Sequence, residues 1–224
     1  MLNLKYPIVQ LALDYATIDD ALKMAAIGVR AGVDILEAGT PLIVAEGFKC
    51  VGALAKAYPN YTILADYKTM DSGFKNVQIT QGQKGHIMTV CGNATDETVK
   101  SAINEGKKTG IKVVVDTIGC KDQPGRAAVC AKWGADLIYL HYAADQWRAD
   151  ASKDSTQWLS AVLQVVGDCP VGVGTFGIED GVKAVSMGAK LVAIGHPLIS
   201  GADAEAKLTD YVKQVKRNYK PSSM

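Results

Sequence analysis

Apolar residues gather along this chain into short runs at a regular beat: IVQLALD, DILEAG, YTILADYK, HIMTVC, KVVVDTI, LIYLHY, PVGVGT and LVAIGH, beginning near residues 8, 34, 61, 86, 112, 137, 170 and 191. The usual step is roughly 25 residues, enough for a strand, a loop and a helix. Between the runs stand stretches such as DDALKMAAIGVRAG, DETVKSAINEGKKTG and DGVKAVSMGAK, with apolar positions recurring at three and four. That period marks helices with one buried stripe, and several close on glycine just before the next run. Nearly continuous apolar strands joined by crossover helices imply a parallel sheet covered by helices. Eight such units predict an α/β fold, a (β/α)8 TIM barrel, as a single domain over residues 1–224. An open doubly wound sheet is the competing arrangement, but it would have fewer strands and a Gly-rich first turn, and no GxGxxG follows the first run. One step is long: AADQWRADASKDS separates the sixth run from its helix. Long loops after barrel strands lie over the ligand-binding face, so this one is expected to cover the site.

In such a barrel the chemistry collects at the C-terminal strand ends. Those ends carry Asp14, Glu37, Asp66 with Lys68, Asp116 and His141. Asp66 and Lys68 are two residues apart in a strand and so face the same side. Structural ion pairs closing the barrel top would explain any one of these residues; the recurrence on strand after strand points to a site. Glu37 and Asp66, on neighbouring strands, are hard oxygen donors suited to Mg²⁺, which takes one or two carboxylates plus substrate oxygens and water. The cysteine or multiple-histidine set of a zinc site is missing. A divalent ion there would polarise a ketone, and Lys68 would add positive charge at a developing oxyanion. Nearby carboxylates should keep that lysine protonated. His141 titrates near neutrality and is suited to moving a proton to or from carbon. His86 opens a strand without a nameable partner and is read as structural.

The last two strand ends, VGTFGIEDG and IGHPLISGAD, break at glycine and open helices. Backbone N–H groups at such turns bind anions, and barrels often hold phosphate after strands seven and eight. Thr175, Gly177, Gly195 and His196 are the candidate phosphate contacts.

Bulk properties narrow the setting. A net charge of +1 gives no electrostatic reason to expect nucleic acid or an anionic membrane as partner. The basic tail KQVKRNYK reads as the solvated face of a helix. MLNLKYP lacks signal-peptide architecture, and no apolar run approaches the ~18 residues of a membrane span. Cys50, Cys91, Cys120, Cys130 and Cys169 are scattered, without a CxxC pair. This suits reduced thiols in a cytoplasmic protein.

The stretches LALD (11–14), LEAGTPLI (36–43), ADYKTMD (65–71) and LHYAADQ (140–146), with MTVCGNA and VVVDTIGCKD, resemble the orotidine 5′-monophosphate decarboxylase suprafamily, most nearly its 3-hexulose-6-phosphate synthase branch. The resemblance runs from about residue 8 to residue 170. It implies a homodimer of (β/α)8 barrels with active sites at the subunit interface. It also implies a Mg²⁺-dependent aldolase that reversibly joins formaldehyde to D-ribulose 5-phosphate through an enediolate. Carried over by position, Glu37 and Asp66 match the metal ligands, and Asp14, Lys68, Asp71 and His141 match catalytic positions. Asp71 matches an acid that reaches into the neighbouring subunit's site. The sister branch, 3-keto-L-gulonate-6-phosphate decarboxylase, typically has an arginine three residues after the histidine, where this chain has Ala144. That absence favours aldol chemistry, with the decarboxylase as one alternative and a non-catalytic phosphosugar-binding barrel as another. After residue 170 the chain departs from the pattern: Thr175 and Phe176 stand where a Gly-Gly pair is usual, and a bulky Phe176 bears on which sugar phosphate fits.

Overall fold

The computed structural model describes residues 5–152 and 154–220. Residues 1–4 of the MLNLKYP segment, Lys153 of the long loop and residues 221–224 lie outside them. In chain order the elements are β1 (Ile8–Leu13), α1 (Ile18–Ala31), β2 (Ile35–Ala38), α2 (Thr40–Glu46), α3 (Lys49–Ala57), β3 (Thr62–Thr69), α4 (Gly73–Gly82) and β4 (Ile87–Cys91). They continue with α5 (Asp96–Thr109), β5 (Lys112–Asp116), α6 (Gln123–Trp133), β6 (Leu137–Leu140), α7 (Ala144–Ala149), α8 (Leu159–Val165), β7 (Val171–Thr175), α9 (Ile178–Ser186), β8 (Leu191–Ile194) and α10 (Ala204–Asn218). Strands β1 to β8 pair in order, all parallel, and β8 closes on β1 with Ile8 opposite Leu191. The expected (β/α)8 barrel is the observed fold. Each strand starts within one residue of its apolar run.

Helix starts follow from capping chemistry. Thr17 accepts from the Asp20 N–H at the head of α1, and Thr95 does the same for Thr98 at the head of α5. Acidic residues fill both first turns and basic residues both last turns, matching the helix dipole.

Strand alternation decides what lies inside. Ile8, Ile35, Leu64, Ile87, Val114, Leu137 and Leu191 form an apolar cluster in the barrel interior. The intervening strand residues, among them Val9, Leu36, Ile63, Met88, Val113, Ile138 and Val192, pack against the helices in a larger cluster. Two residues up from the interior cluster, where side chains point inward again, stand Gln10, Glu37, Asp66, Thr89, Asp116, Tyr139 and Ala193. The barrel thus turns from apolar to polar within one step of the pleat, at its C-terminal half.

Packing between α4 and α5 requires a glycine. A Cβ on Gly73 would lie 2.4 Å from the Thr98 carbonyl oxygen and 2.9 Å from the Ala102 nitrogen. Both are backbone atoms, so a helix would have to shift. Gly73→Ala is expected to cost about 1–3 kcal/mol by overpacking, read as a melting temperature lowered by several degrees.

All five cysteines are free. Among the described residues no helix is long and apolar enough to cross a membrane. His86 accepts the Ile63 N–H through Nδ1 at 3.1 Å, in keeping with its structural reading.

Candidate active site

A cavity of about 350 Å³ opens at the C-terminal ends of the strands. Asp14, Glu37, Asp66, Lys68 and His141 all line it, so residues at or just past the ends of four strands, β1, β2, β3 and β6, converge on one mouth. Asp116 lies behind this lining and touches it through His141.

The third strand builds the most polar wall. The β3–β4 register shifts between Ala65 and Thr69, and Lys68 there takes a left-handed φ of 45°. A non-glycine residue rarely adopts that conformation, which costs of order 1 kcal/mol or more. The lysine's contacts hold it: its N–H donates to Thr89 Oγ1 at 3.0 Å, and Nζ donates to Thr40 Oγ1 at 2.9 Å and to Asp66 Oδ2. Asp66 also accepts from Thr89 through Oδ1 at 2.8 Å, and its Oδ2 lies 2.8 Å from the Thr40 hydroxyl. Burial alone would raise the Asp66 carboxyl, but the Lys68 charge and these hydrogen bonds hold it below its ordinary value. In return, burial would discharge Lys68, and the carboxylates of Asp66, Asp116 and Glu37 instead push its pKa up.

Glu37 is 7% exposed and accepts from Gln10 Nε2 at 2.5 Å. Burial, then the charges of Asp66 and Asp14, push its carboxyl well above its ordinary value. Glu37 is thus a buried acid beside Asp66 whose charge Lys68 only partly offsets, an arrangement that a bound cation would relieve. The donor set is all oxygen, and Glu37 Oε1 keeps both lone pairs free of protein donors among the described residues. These residues fit a Mg²⁺ ion that completes its shell with water and substrate oxygens. Among the described residues no group of three or more His, Cys, Asp or Glu could hold a metal by protein ligands alone.

Asp14 lies just past β1 with its side chain open to the mouth. Protein packed around it and the charge of Asp66 raise its pKa, with Lys68 offsetting part. His141 lies one residue past β6 and pairs through Nδ1 with Asp116 Oδ2 at 2.8 Å. Asp116 is itself fixed by the Ile118 N–H on Oδ1 at 2.8 Å. Burial alone would lower the His141 pKa; the Asp116 charge and hydrogen bond outweigh it and raise it. That bond leaves Nε2 as the ring nitrogen available to a ligand.

The remaining expected residues divide. Asp71 is exposed, accepts the Ser72 N–H at 2.6 Å and does not line the cavity of its own chain. Gly195 and His196 line the mouth, and the His196 ring meets Ser200 Oγ at 2.9 Å. Thr175 lines the cavity as well, while its hydroxyl donates to the Ala193 carbonyl at 2.8 Å and meets the Tyr211 hydroxyl at 2.7 Å. Gly177 opens α9 without lining the cavity, and the preceding Phe176 N–H already donates to Asp180 Oδ2 at 3.2 Å. The turn after β7, expected from the sequence to bind an anion, is therefore partly filled by the chain's own carboxylate. Phe176 instead faces the mouth, stacked on Trp147 with centroids 5.0 Å apart and edge-on to Tyr142 at 6.4 Å. Both partners belong to the long segment after β6, and Ala143, Ala144 and Asp145 of that segment line the cavity. The segment covers the site as its length implied.

Sequence reasoning gave no role to Gln10, Thr40, Thr89 or Tyr139 and left Asp116 as an unassigned strand-end acid. Inward parity, two residues above the apolar interior, was the signal for all but Thr40. Thr40 was legible only as the residue next to the EAG turn.

Comparison with known proteins adds to this geometry. A family model described as "Orotidine 5'-phosphate decarboxylase / HUMPS family" matches residues 7–211. The chain is 31% identical over 207 residues to 3-hexulose-6-phosphate synthase of Bacillus subtilis, covering 92% of this chain and 97% of that protein. It superposes on a crystal structure of 3-hexulose-6-phosphate synthase from Salmonella typhimurium with a TM-score of 0.88 at 28% identity, over 95% of this chain and 100% of that one. The fold is shared with 3-keto-L-gulonate-6-phosphate decarboxylase of Vibrio cholerae, TM-score 0.83 at 22% identity, over 96% of this chain and 100% of that one.

Proposed function

We propose, from the premise that this chain belongs to the orotidine 5′-phosphate decarboxylase / HUMPS family, that it is a lyase of the 3-hexulose-6-phosphate synthase type. It condenses formaldehyde with D-ribulose 5-phosphate, giving D-arabino-hex-3-ulose 6-phosphate, and runs in reverse. The observation that carries this reading is the convergence of Glu37, Asp66, Lys68 and the His141–Asp116 pair on one cavity. Relatives bearing the synthase name, aligned over nearly the whole chain, support it.

Glu37 and Asp66 would hold Mg²⁺, which when bound supplies Lewis acidity at the ketose carbonyl. The residues of the chain do the rest. Neutral His141, oriented by Asp116, takes the proton from the hydroxymethyl carbon beside the carbonyl. Lys68, fixed as an ammonium by its carboxylate neighbours, stabilises the negative charge of the resulting enediolate. The enediolate carbon then bonds to the carbon of formaldehyde, whose oxygen takes up a proton. Asp14 holds substrate hydroxyls, and Gly195 and His196 receive the phosphate. Ala144 lines the cavity with a methyl group where a decarboxylase of this family would need a cationic side chain near its new carbanion.

The proposed assembly is a homodimer that shares its sites through Asp71. Met70 and Phe74, which flank Asp71 in the chain, are exposed by 52% and 46%, and Val44 and Phe48 of the α2 region are also exposed, by 80% and 46%. The proposed setting is cytoplasmic, in line with free thiols throughout.

The direct test supplies purified protein with ribulose 5-phosphate, formaldehyde and Mg²⁺, beside a parallel reaction with 3-keto-L-gulonate 6-phosphate. Hexulose phosphate in the first supports the synthase; CO₂ in the second alone would replace it by the decarboxylase. Binding without turnover in either would mark a non-catalytic barrel.

The pH profile follows from His141. The base must be neutral, so kcat/KM rises with pH through its pKa, which Asp116 raises against the opposing effects of burial and Lys68. In Asp116→Asn the main charge favouring the imidazolium is gone, although Asp66 and Asp14 still face the ring. The acid limb of the profile is expected to move to lower pH, with a reduced plateau because the ring loses its orienting acceptor. An unmoved limb would separate His141 from the proton transfer.

A further inference from the structure

Tyr139 occupies the cavity's inner wall without a role in the scheme above. It stands on β6 two residues below His141, half-buried, with its ring against the apolar interior cluster. The two rings meet edge to face with centroids 5.3 Å apart. Its hydroxyl makes no hydrogen bond to any described residue, although it is not sealed from the cavity. The buried phenol of Tyr211, on α10, behaves differently: it is bonded to Thr175 at 2.7 Å. Polar groups inside proteins are nearly always paired, so an unpaired hydroxyl on a cavity wall is available to whatever fills the cavity.

Space for that hydroxyl is made on the adjacent strand. A Cβ on Gly174 would lie 2.7 Å from the Tyr139 oxygen, 3.4 Å from its ring carbon Cζ and 3.8 Å from His141 Cδ2. Removing only the oxygen would leave an ordinary contact. Gly174 is thus required by the hydroxyl itself, since the ring alone would tolerate alanine there. Burial, then the charges of Glu37, Asp116 and Asp66, hold the phenol well above its ordinary pKa, so the group is a donor in search of an acceptor. A sugar phosphate bound between Glu37, Asp66 and His141 carries carbonyl and hydroxyl oxygens at this depth.

We propose that Tyr139 is a substrate-contacting residue, donating its phenolic hydrogen bond to a ketose oxygen beside the carbon that His141 deprotonates, with Gly174 kept small to admit it. The inference rests on the ketose-phosphate reading of the site and names a contact within it.

The test compares wild type, Tyr139→Phe, Gly174→Ala and the double variant. Three readouts apply: condensation kinetics, exchange of the substrate C1 proton into deuterated water without formaldehyde, and thermal melting. Tyr139→Phe should lose about tenfold in kcat/KM and in C1 exchange, the scale of one hydrogen bond, with its melting temperature unchanged because the hydroxyl has no protein partner to lose. Gly174→Ala should be impaired in wild-type background and markedly less so when Tyr139 is already Phe. Wild-type kinetics in Tyr139→Phe would overturn the proposal, as would strictly additive effects in the double variant. If Tyr139→Phe is merely destabilised, with exchange per folded molecule unchanged, the hydroxyl is structural and the proposal fails. If wild type itself neither exchanges the C1 proton nor forms product, the ketose reading fails first and this contact with it.

Discussion

Asp66→Asn is expected to leave a folded protein whose kcat/KM has fallen by about a thousandfold or more. The substitution keeps the side chain's shape and an oxygen to accept from Thr89. It removes the charge that Lys68 and the proposed Mg²⁺ both require. Loss of one of two carboxylates at such a site removes several kcal/mol of transition-state stabilisation, which is the origin of that factor. The cost to folding is smaller. Lys68 loses its nearest anion but keeps Thr40 and the more distant charges of Asp116 and Glu37, so about 1–3 kcal/mol is lost. A domain of ordinary stability, about 5–15 kcal/mol, survives that. Rate measurements beside a melting curve separate the two effects. A folded Asp66→Asn protein that stays active without added metal would remove Asp66 from the proposed ion site.

The second large effect concerns the shared site. Asp71→Ala and His141→Ala homodimers should each be nearly inactive, yet dimers assembled from a mixture of the two should recover activity. In the mixed dimer one site combines an intact His141 with the partner's intact Asp71, while the other lacks both. Random pairing makes half the dimers mixed, with one good site of two, so recovery is about a quarter of wild type. The exposed position of Asp71, away from its own chain's cavity, motivates this expectation. Loss in Asp71→Ala with no recovery on mixing would place its action within one subunit; no loss at all would exclude it from the site.

The fold was legible because a closed parallel barrel writes itself as one repeated unit. Eight apolar runs with helical spacers admit few alternatives, and their positions matched the strands to within a residue. The strand-end residues were legible for the same reason, since parity decides which side chains point inward. The β7 turn was not. Glycine at a βα junction suggests open backbone donors, but no local rule revealed that Asp180 would take the Phe176 N–H or that Tyr211, far along the chain, would engage the Thr175 hydroxyl. Such pairings are set by how α9 and α10 pack over the barrel. Lys68 was read correctly as Asp66's companion by strand spacing, but the structure adds a register shift and a left-handed backbone at that point. The Asp116–His141 pair lay across adjacent strands, and it becomes evident only once β5 and β6 are known to be neighbours.

The most direct measurement incubates the metal-stripped protein with D-ribulose 5-phosphate and formaldehyde and follows hexulose phosphate as Mg²⁺ is added back. The account predicts negligible product without the ion, turnover that saturates with it, and no such response in Glu37→Gln. Turnover indifferent to the chelator, or a wild-type protein that forms no hexulose phosphate at any Mg²⁺ concentration, would contradict it.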